Sequence, residues 1–225
     1  MRILIIGAGK VGSSVAGNLV SESNDITIVD TNKAKIAEIQ SNYDLQGIVG
    51  DATSPSVLAD AGAVDADMII AVTANDETNL AVTLIAEQLF NVPSRIARVR
   101  NDELREYPAL LSTSGFRATS VIWPEEAITN YIVQLITYPE ALQVIEFSDG
   151  DVVLMSVKIV SSSKMCGRPV SALQDELPRV KVQIVSIYRQ KYRLDDIDGK
   201  TVLEAGDEIF FLTTKTCAHA VVKAF

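Results

Sequence analysis

Histidine is nearly missing from this 225-residue chain: His219, close to the C-terminal end, is the only one. Zinc sites built on several histidines are thereby excluded. A hydride-transfer site using histidine as acid or base would have to recruit His219, which reads as a partly exposed residue of a terminal helix. Cysteine is also sparse. Cys166 and Cys217 lie far apart without metal-site spacing and read as small thiols in a reducing compartment. No apolar run approaches the roughly 20 residues of a membrane span. The N-terminal run is only Ile3 to Ile6 before Gly7 interrupts it, which reads against a signal peptide and gives a cytoplasmic location as the expectation. Basic residues are outnumbered, 20 against 29 acidic, for a net charge of −9. That balance argues against nucleic acid or an anionic membrane surface as partner, while leaving room for a local basic pocket.

What is present is a rhythm. Over the first part of the chain, short apolar runs alternate with helical stretches. The runs fall at 3–6, 26–29, 47–49, 68–72, 96–99 and 118–122, and the helical stretches at 11–20, 33–42, 56–61, 75–90 and 102–114. Strands this apolar suit burial on both faces, and helical crossovers between them predict a Rossmann-like, doubly wound parallel α/β sheet. "WPEEAITNYIVQLITYPE" follows. Pro124 with Glu125 and Glu126 predicts a helix start, Ile128, Ile132, Leu135 and Ile136 form an apolar stripe, and Pro139 ends the helix. Two readings of that helix stand open: it caps its own sheet, or it crosses to a second copy. Beyond it, strands are expected at 144–147, 152–159, 182–189 and 208–213, with helices at 170–177 and 216–225 and tight turns at "DGD" (149–151) and "EAGDE" (204–208). That is a small α+β C-terminal domain. The domains expected are therefore 1–124, a crossover helix over 125–140, and 141–225. "DDIDG" at 195–199 touches a calcium-loop pattern but lacks its remaining ligands, so it reads as a solvated turn.

The chemistry lies at the expected strand ends. Gly7, Gly9 and Gly12 follow the first strand and open the first helix in the spacing G-x-G-x-x-G. The first allows a tight turn, the second a close backbone approach to diphosphate, and the third close helix–strand packing, with helix N–H groups facing the anion. Asp30 ends the second strand, where a carboxylate can accept both adenine-ribose hydroxyls and disfavours a 2′-phosphate. NAD(H), ATP and ADP all carry those hydroxyls. Next come Asp51, Ala52 and Thr53 in "GDAT", then Thr73, Asn75 and Asn79 in "VTANDETN", then Arg98 and Arg100 around the fifth strand. Asp51 can accept from an adenine amino group, Thr73 and Asn75 can reach the diphosphate or second ribose, and an arginine can meet a polyphosphate. Asp51, Thr53 and Asn75 also fit helix caps. In the glycine loop stand Lys10 and Val11; Lys10 lies beside phosphate or on solvated surface, and both readings stay open.

These motifs together resemble the RCK (KTN) domain family, the cytosolic regulatory subunits of Trk and Ktr potassium-uptake systems. "ILIIGAGKVGSSVAGNL", Asp30, "GDAT", "VTANDETNL", "ARVRN" and "WPEE" carry the resemblance, and "GRPVSAL" with "GKTVLEAGDEIFFL" resembles the C-terminal (TrkA-C) domain that follows in that family. The order matches the TrkA-like type, where two such units stand in tandem, so the chain resembles one half; a single-unit, KtrA-like member is the variant reading. The resemblance implies binding of NAD(H) or ATP/ADP, homo-oligomeric rings of dimers, and gating of a membrane-embedded potassium transporter at the inner face of the plasma membrane. Carried over, Gly7, Gly9 and Gly12 hold phosphates and Asp30 the ribose. Asp51 and Ala52 bracket the adenine, Thr73, Asn75 and Asn79 line the phosphate side, and Arg98 stands where KtrA-like members have a lysine. Glu125 matches a glutamate that in some members holds a divalent cation between ATP γ-phosphates. Those members use an arginine in the glycine loop; this chain has Lys10, a point charge without the bidentate fork.

Two competing functions stay beside this one. A regulator of another transporter would look the same. An NAD-dependent dehydrogenase fits the glycines and Asp30, yet the region after 140 offers no acid/base motif, and Tyr188 and Lys191 stand three apart rather than in Tyr-x-x-x-Lys spacing.

Overall fold

The structure, a computed structural model, describes residues 1–20, 22, 24–112, 114–147 and 151–225. It divides into two compact units, Met1–Ala127 and Ile128–Phe225. The division falls inside the segment read as a crossover helix.

In the first unit β1 (Arg2–Ile6), β2 (Asp25–Asp30), β3 (Gln46–Val49), β4 (Met68–Ala71), β5 (Ser94–Arg98) and β6 (Ser120–Ile122) form one sheet in the order β3-β2-β1-β4-β5-β6. All five pairings are parallel. Period-two alternation explains why β1 is apolar throughout. Leu4 and Ile6 pack on one face with Val29, Leu58 and Ile69, whereas Ile3 and Ile5 pack on the other with Ile26, Ile28 and Ile36. The connecting helices are α1 (Lys10–Val20), α2 (Lys33–Asn42), α3 (Pro55–Asp60) and α4 (Asp76–Phe90). The strand order reverses between β1 and β4, so their C-terminal ends open a crevice, where sheets of this type take ligands.

One expected helix is broken. Residues 102–114 were expected to be continuous; instead a 3₁₀ turn (Asp102–Glu106) precedes the short α5 (Pro108–Leu111). Pro108 has no N–H to donate and pushes Tyr107 out of the helical region, to φ −121° and ψ 59°. The sixth strand is also shorter than expected, beginning at Ser120. Arg95 on β5 is buried, its guanidinium donating to the carbonyls of Val92, Pro93 and Arg117.

Helix α6 (Pro124–Thr137) runs from the first unit into the second, and its apolar stripe is exposed at Ile128, Ile132, Leu135 and Ile136. The second unit adds β7 (Ala141–Phe147), β8 (Val152–Lys158), β9 (Val182–Arg189), β10 (Tyr192–Arg193) and β11 (Glu208–Thr214), an antiparallel sheet ordered β10-β9-β11-β8-β7. With α7 (Ala172–Glu176) and α8 (Lys215–Ala224) it buries Met155, Ile187, Phe211, Val221 and Phe225 in one core. The two-residue strand β10 escaped the sequence reading, being too short to show a period. The expected turn at 149–151 lies on residues 149 and 150, outside the described residues. The turn at 204–208 is present, with Gly206 at φ +96°. Its Asp207 side chain is fully buried and meets the Arg189 guanidinium fork-to-fork, at 2.8 Å on each oxygen. His219 is exposed and tilts against Tyr138, ring centroids 5.1 Å apart. Asp198 turns on itself, accepting from Lys200 N and Thr201 Oγ1.

Candidate functional site

A cavity of about 640 Å³ opens at the C-terminal ends of β1, β2, β4 and β5. The glycine loop forms one wall, and each glycine there has its own reason. Gly7 has φ +106°, and a Cβ there would lie 3.1 Å from the Thr73 backbone, so only glycine lets the end of β1 pass the end of β4. Gly9 faces open space, with no atom within 4 Å of a Cβ, so its backbone is free for close approach. Gly12 is buried; a Cβ would strike the Gly7 carbonyl oxygen at 1.8 Å. It serves packing and does not line the cavity. The helical bond from Ser13 N to Gly9 O (2.9 Å) leaves the first-turn N–H groups of α1, Lys10 and Val11 among them, without intrahelical acceptors.

Asp30 braces this loop. Its Oδ2 accepts from Ala8 N at 2.7 Å and its Oδ1 from Asn32 N at 2.8 Å, each oxygen has capacity for a further bond, and the residue lines the cavity. Asp51 lines the cavity beside the buried Ala52. Thr53 does not line it. Its N–H and then its hydroxyl bond to Asp51 Oδ1, at 2.9 and 2.8 Å, and hold that carboxyl below the usual aspartate value.

The far wall is the β4–α4 junction. Asn75 caps α4, its Oδ1 accepting from Thr78 N at 2.7 Å, and it lines the cavity with Thr73. Asn79 is wholly buried beneath them. Its Oδ1 accepts from Thr73 N (2.9 Å) and Thr73 Oγ1 (2.7 Å), and its Nδ2 donates to Arg98 O (2.9 Å). It ties β4 to β5 rather than facing a ligand. Arg98 does line the cavity, and its Nε is buried with no hydrogen-bond partner among the described residues.

The charges are uneven. Four cations (Lys10, Lys35, Arg98 and Arg100) and two carboxylates (Asp30 and Asp51) line the cavity of a chain whose net charge is −9. Sequence reasoning left Lys35, Thr31 and Thr78 out of the site. Lys35 had a signal: it stands in the first turn of the helix that Asp30 leads into. Glu125 is exposed in the first turn of α6 and does not line the cavity, and no group of three or more potential metal ligands occurs among the described residues. The described residues of this chain alone do not fit a cation site.

A six-stranded parallel sheet with a glycine turn at its switch point, followed by a small antiparallel α+β unit, defines a Rossmann-type domain with an accessory C-terminal domain. Residues 3–124 match the TrkA-N domain and residues 154–225 the TrkA-C domain, and the chain belongs to this TrkA family. The Trk system potassium uptake protein TrkA of Vibrio alginolyticus is 44% identical over 99% of this chain and 48% of its own length. A TrkA homolog of Methanothermobacter thermautotrophicus is 31% identical over 100% of this chain and 99% of its own. The chain thus spans about half the length of the first curated relatives it matches. Solved structures share the fold: the GsuK channel (TM-score 0.67, 19% identity, 98% of this chain and 38% of that one) and the GsuK channel bound to NAD (TM-score 0.62, 18% identity, the same coverage). GsuK bound to ADP matches with TM-score 0.51 and 21% identity over 62% of this chain and 35% of that one.

Proposed function

We propose that this chain is a regulatory, non-catalytic subunit of a Trk/Ktr-type potassium-uptake system, working in the cytosol at the inner face of the membrane. It takes NAD(H) or an adenine nucleotide, ATP or ADP, in the glycine-loop cavity. The observation that carries the reading is Arg98. A buried guanidinium N–H without a partner costs about 1–3 kcal/mol, and a phosphate oxygen is the acceptor that would relieve it. The rest of the lining fits the same ligand. Gly9 leaves room for diphosphate, Asp30 and Asp51 stand where ribose and adenine donors would fall, and Lys10 and Arg100 add positive charge. Lining residues include no histidine, cysteine or tyrosine, which favours sensing over hydride chemistry.

Gating then follows from unequal affinity: a nucleotide shifts a conformational equilibrium only as far as it prefers one state. The partner is a membrane-embedded transporter subunit of the Trk/Ktr type, and the chain works as a homo-oligomer. Two open apolar surfaces support the oligomer: the exposed stripe of α6, and a hollow of about 480 Å³ on the first sheet lined by Ile3, Val15, Leu19, Met68, Ile70 and Ile122. Thermal shift with NAD, NADH, ATP, ADP and NADPH tests the ligand. Stabilisation by the first four is expected, and a preference for NADPH would contradict the role of Asp30.

A further inference from the structure

We propose that Arg105 is the positioning residue that couples the nucleotide cavity to helix α6. This rests on the nucleotide reading above. The link starts at the cavity wall. Asp76, the first residue of α4, follows Asn75, and its Oδ2 accepts from Arg100 N (2.8 Å) and Asn101 N (2.9 Å). The segment after β5, which carries the lining residue Arg100, therefore hangs from the same junction that walls the cavity. Asn101 Oδ1 then accepts from Glu103 N at 3.1 Å and starts the 3₁₀ turn 102–106. Leu104 of this turn shares a small core with Leu80, Ala97, Val99 and Trp123. That core includes α4 and β5 residues adjoining Asn79 and Arg98.

Arg105 closes the link. Its guanidinium carbon lies 4.6 Å from the Trp123 ring centroid, and its Nη2 is 3.2 Å from Glu126 Oε2 and 3.3 Å from Asp102 Oδ1. Trp123 immediately precedes α6 and its carbonyl accepts from Ala127 N; Glu126 belongs to the first helical turn. One side chain thus holds the start of α6 from an aromatic face and a carboxylate at once. A lone surface ion pair is worth only about 0–1 kcal/mol, but a cation shared between a ring and two carboxylates fixes direction as well. When phosphate draws Arg98 and Arg100, the 100–106 segment moves with them, and Arg105 carries that displacement to the root of α6.

The molecule supplies its own reporter, because Trp123 is the sole tryptophan. On the full chain, binding of NAD, ADP and ATP is measured by calorimetry, and Trp123 emission is followed with excitation at the tryptophan edge. Wild type should change its emission at saturation. Arg105→Met should bind within about tenfold of wild-type affinity yet lose the emission change, Arg105→Lys should restore part of it, and Glu126→Gln should be intermediate. Nucleotide binding without an emission change in wild type, or the full change persisting in Arg105→Met, overturns the coupling while leaving the nucleotide reading intact. Absence of calorimetric binding by all three nucleotides overturns the nucleotide reading and the coupling with it.

Discussion

Arg98 serves the fold with its backbone and the site with its side chain. Its carbonyl is held by buried Asn79, its side chain lines the cavity, and its buried Nε has no hydrogen-bond partner among the described residues. The glycines divide their labour in the same way. Gly7→Ala would force a Cβ into left-handed backbone against Thr73 and should cost about 1–3 kcal/mol in denaturant unfolding. Gly9→Ala meets nothing in the protein, so it should leave unfolding unchanged and weaken nucleotide binding alone. Equal stability losses for both would refute that division. Asp51 gives a pH signature. Its folded-state pKa is depressed by Thr53, so the turn's contribution is present above the unfolded aspartate pKa and is lost as pH falls through the folded one. Thr53→Ala should move the Asp51 titration, followed by carboxyl NMR, back up toward the usual value.

At the scale of elements, partly exposed Arg189 pairs with the buried Asp207 carboxylate and pins β9 to the turn before β11. Arg189→Ala leaves a buried carboxylate unpaired and should destabilise the second unit by about 3–5 kcal/mol in thermal or denaturant unfolding. Nothing in "EAGDE" announced that pairing; glycine marked the turn, but the partner lies 18 residues away. The central strands were legible because burial on both faces demands unbroken apolar runs, as in Ile3–Ile6. Segment 102–114 was expected to be one helical stretch, but Pro108 stands inside it and proline geometry breaks it in the chain. Asn79 was read as a ligand residue for a related reason. A polar residue one helical turn past a cap looks the same in sequence whether it faces a cavity or a buried strand end. Asp30, by contrast, was legible from its place at the end of the second strand after the glycine fingerprint, whereas its bracing of Ala8 was hidden.

For the whole molecule, the exposed face of α6 is the feature that bears on assembly. Its stripe stays exposed, with Ile136 at 75% and Ile128 at 60%. An exposed apolar stripe of this kind fits the interface of the proposed homo-oligomer. Ile132→Asp should shift the chain from dimer or larger to monomer in light scattering while leaving nucleotide affinity within about threefold, if the cavity is complete in one chain. An unchanged mass would remove α6 from the interface. The central proposal is that the cavity of the first unit takes a nucleotide with Arg98 meeting its phosphates. Its most direct test is calorimetric titration of NAD, ADP and ATP into wild type and Arg98→Gln. The account predicts saturable wild-type binding, weakened about 10- to 100-fold in the variant with no loss of stability to unfolding. Equal affinity in the two proteins, or no binding by wild type, would contradict it.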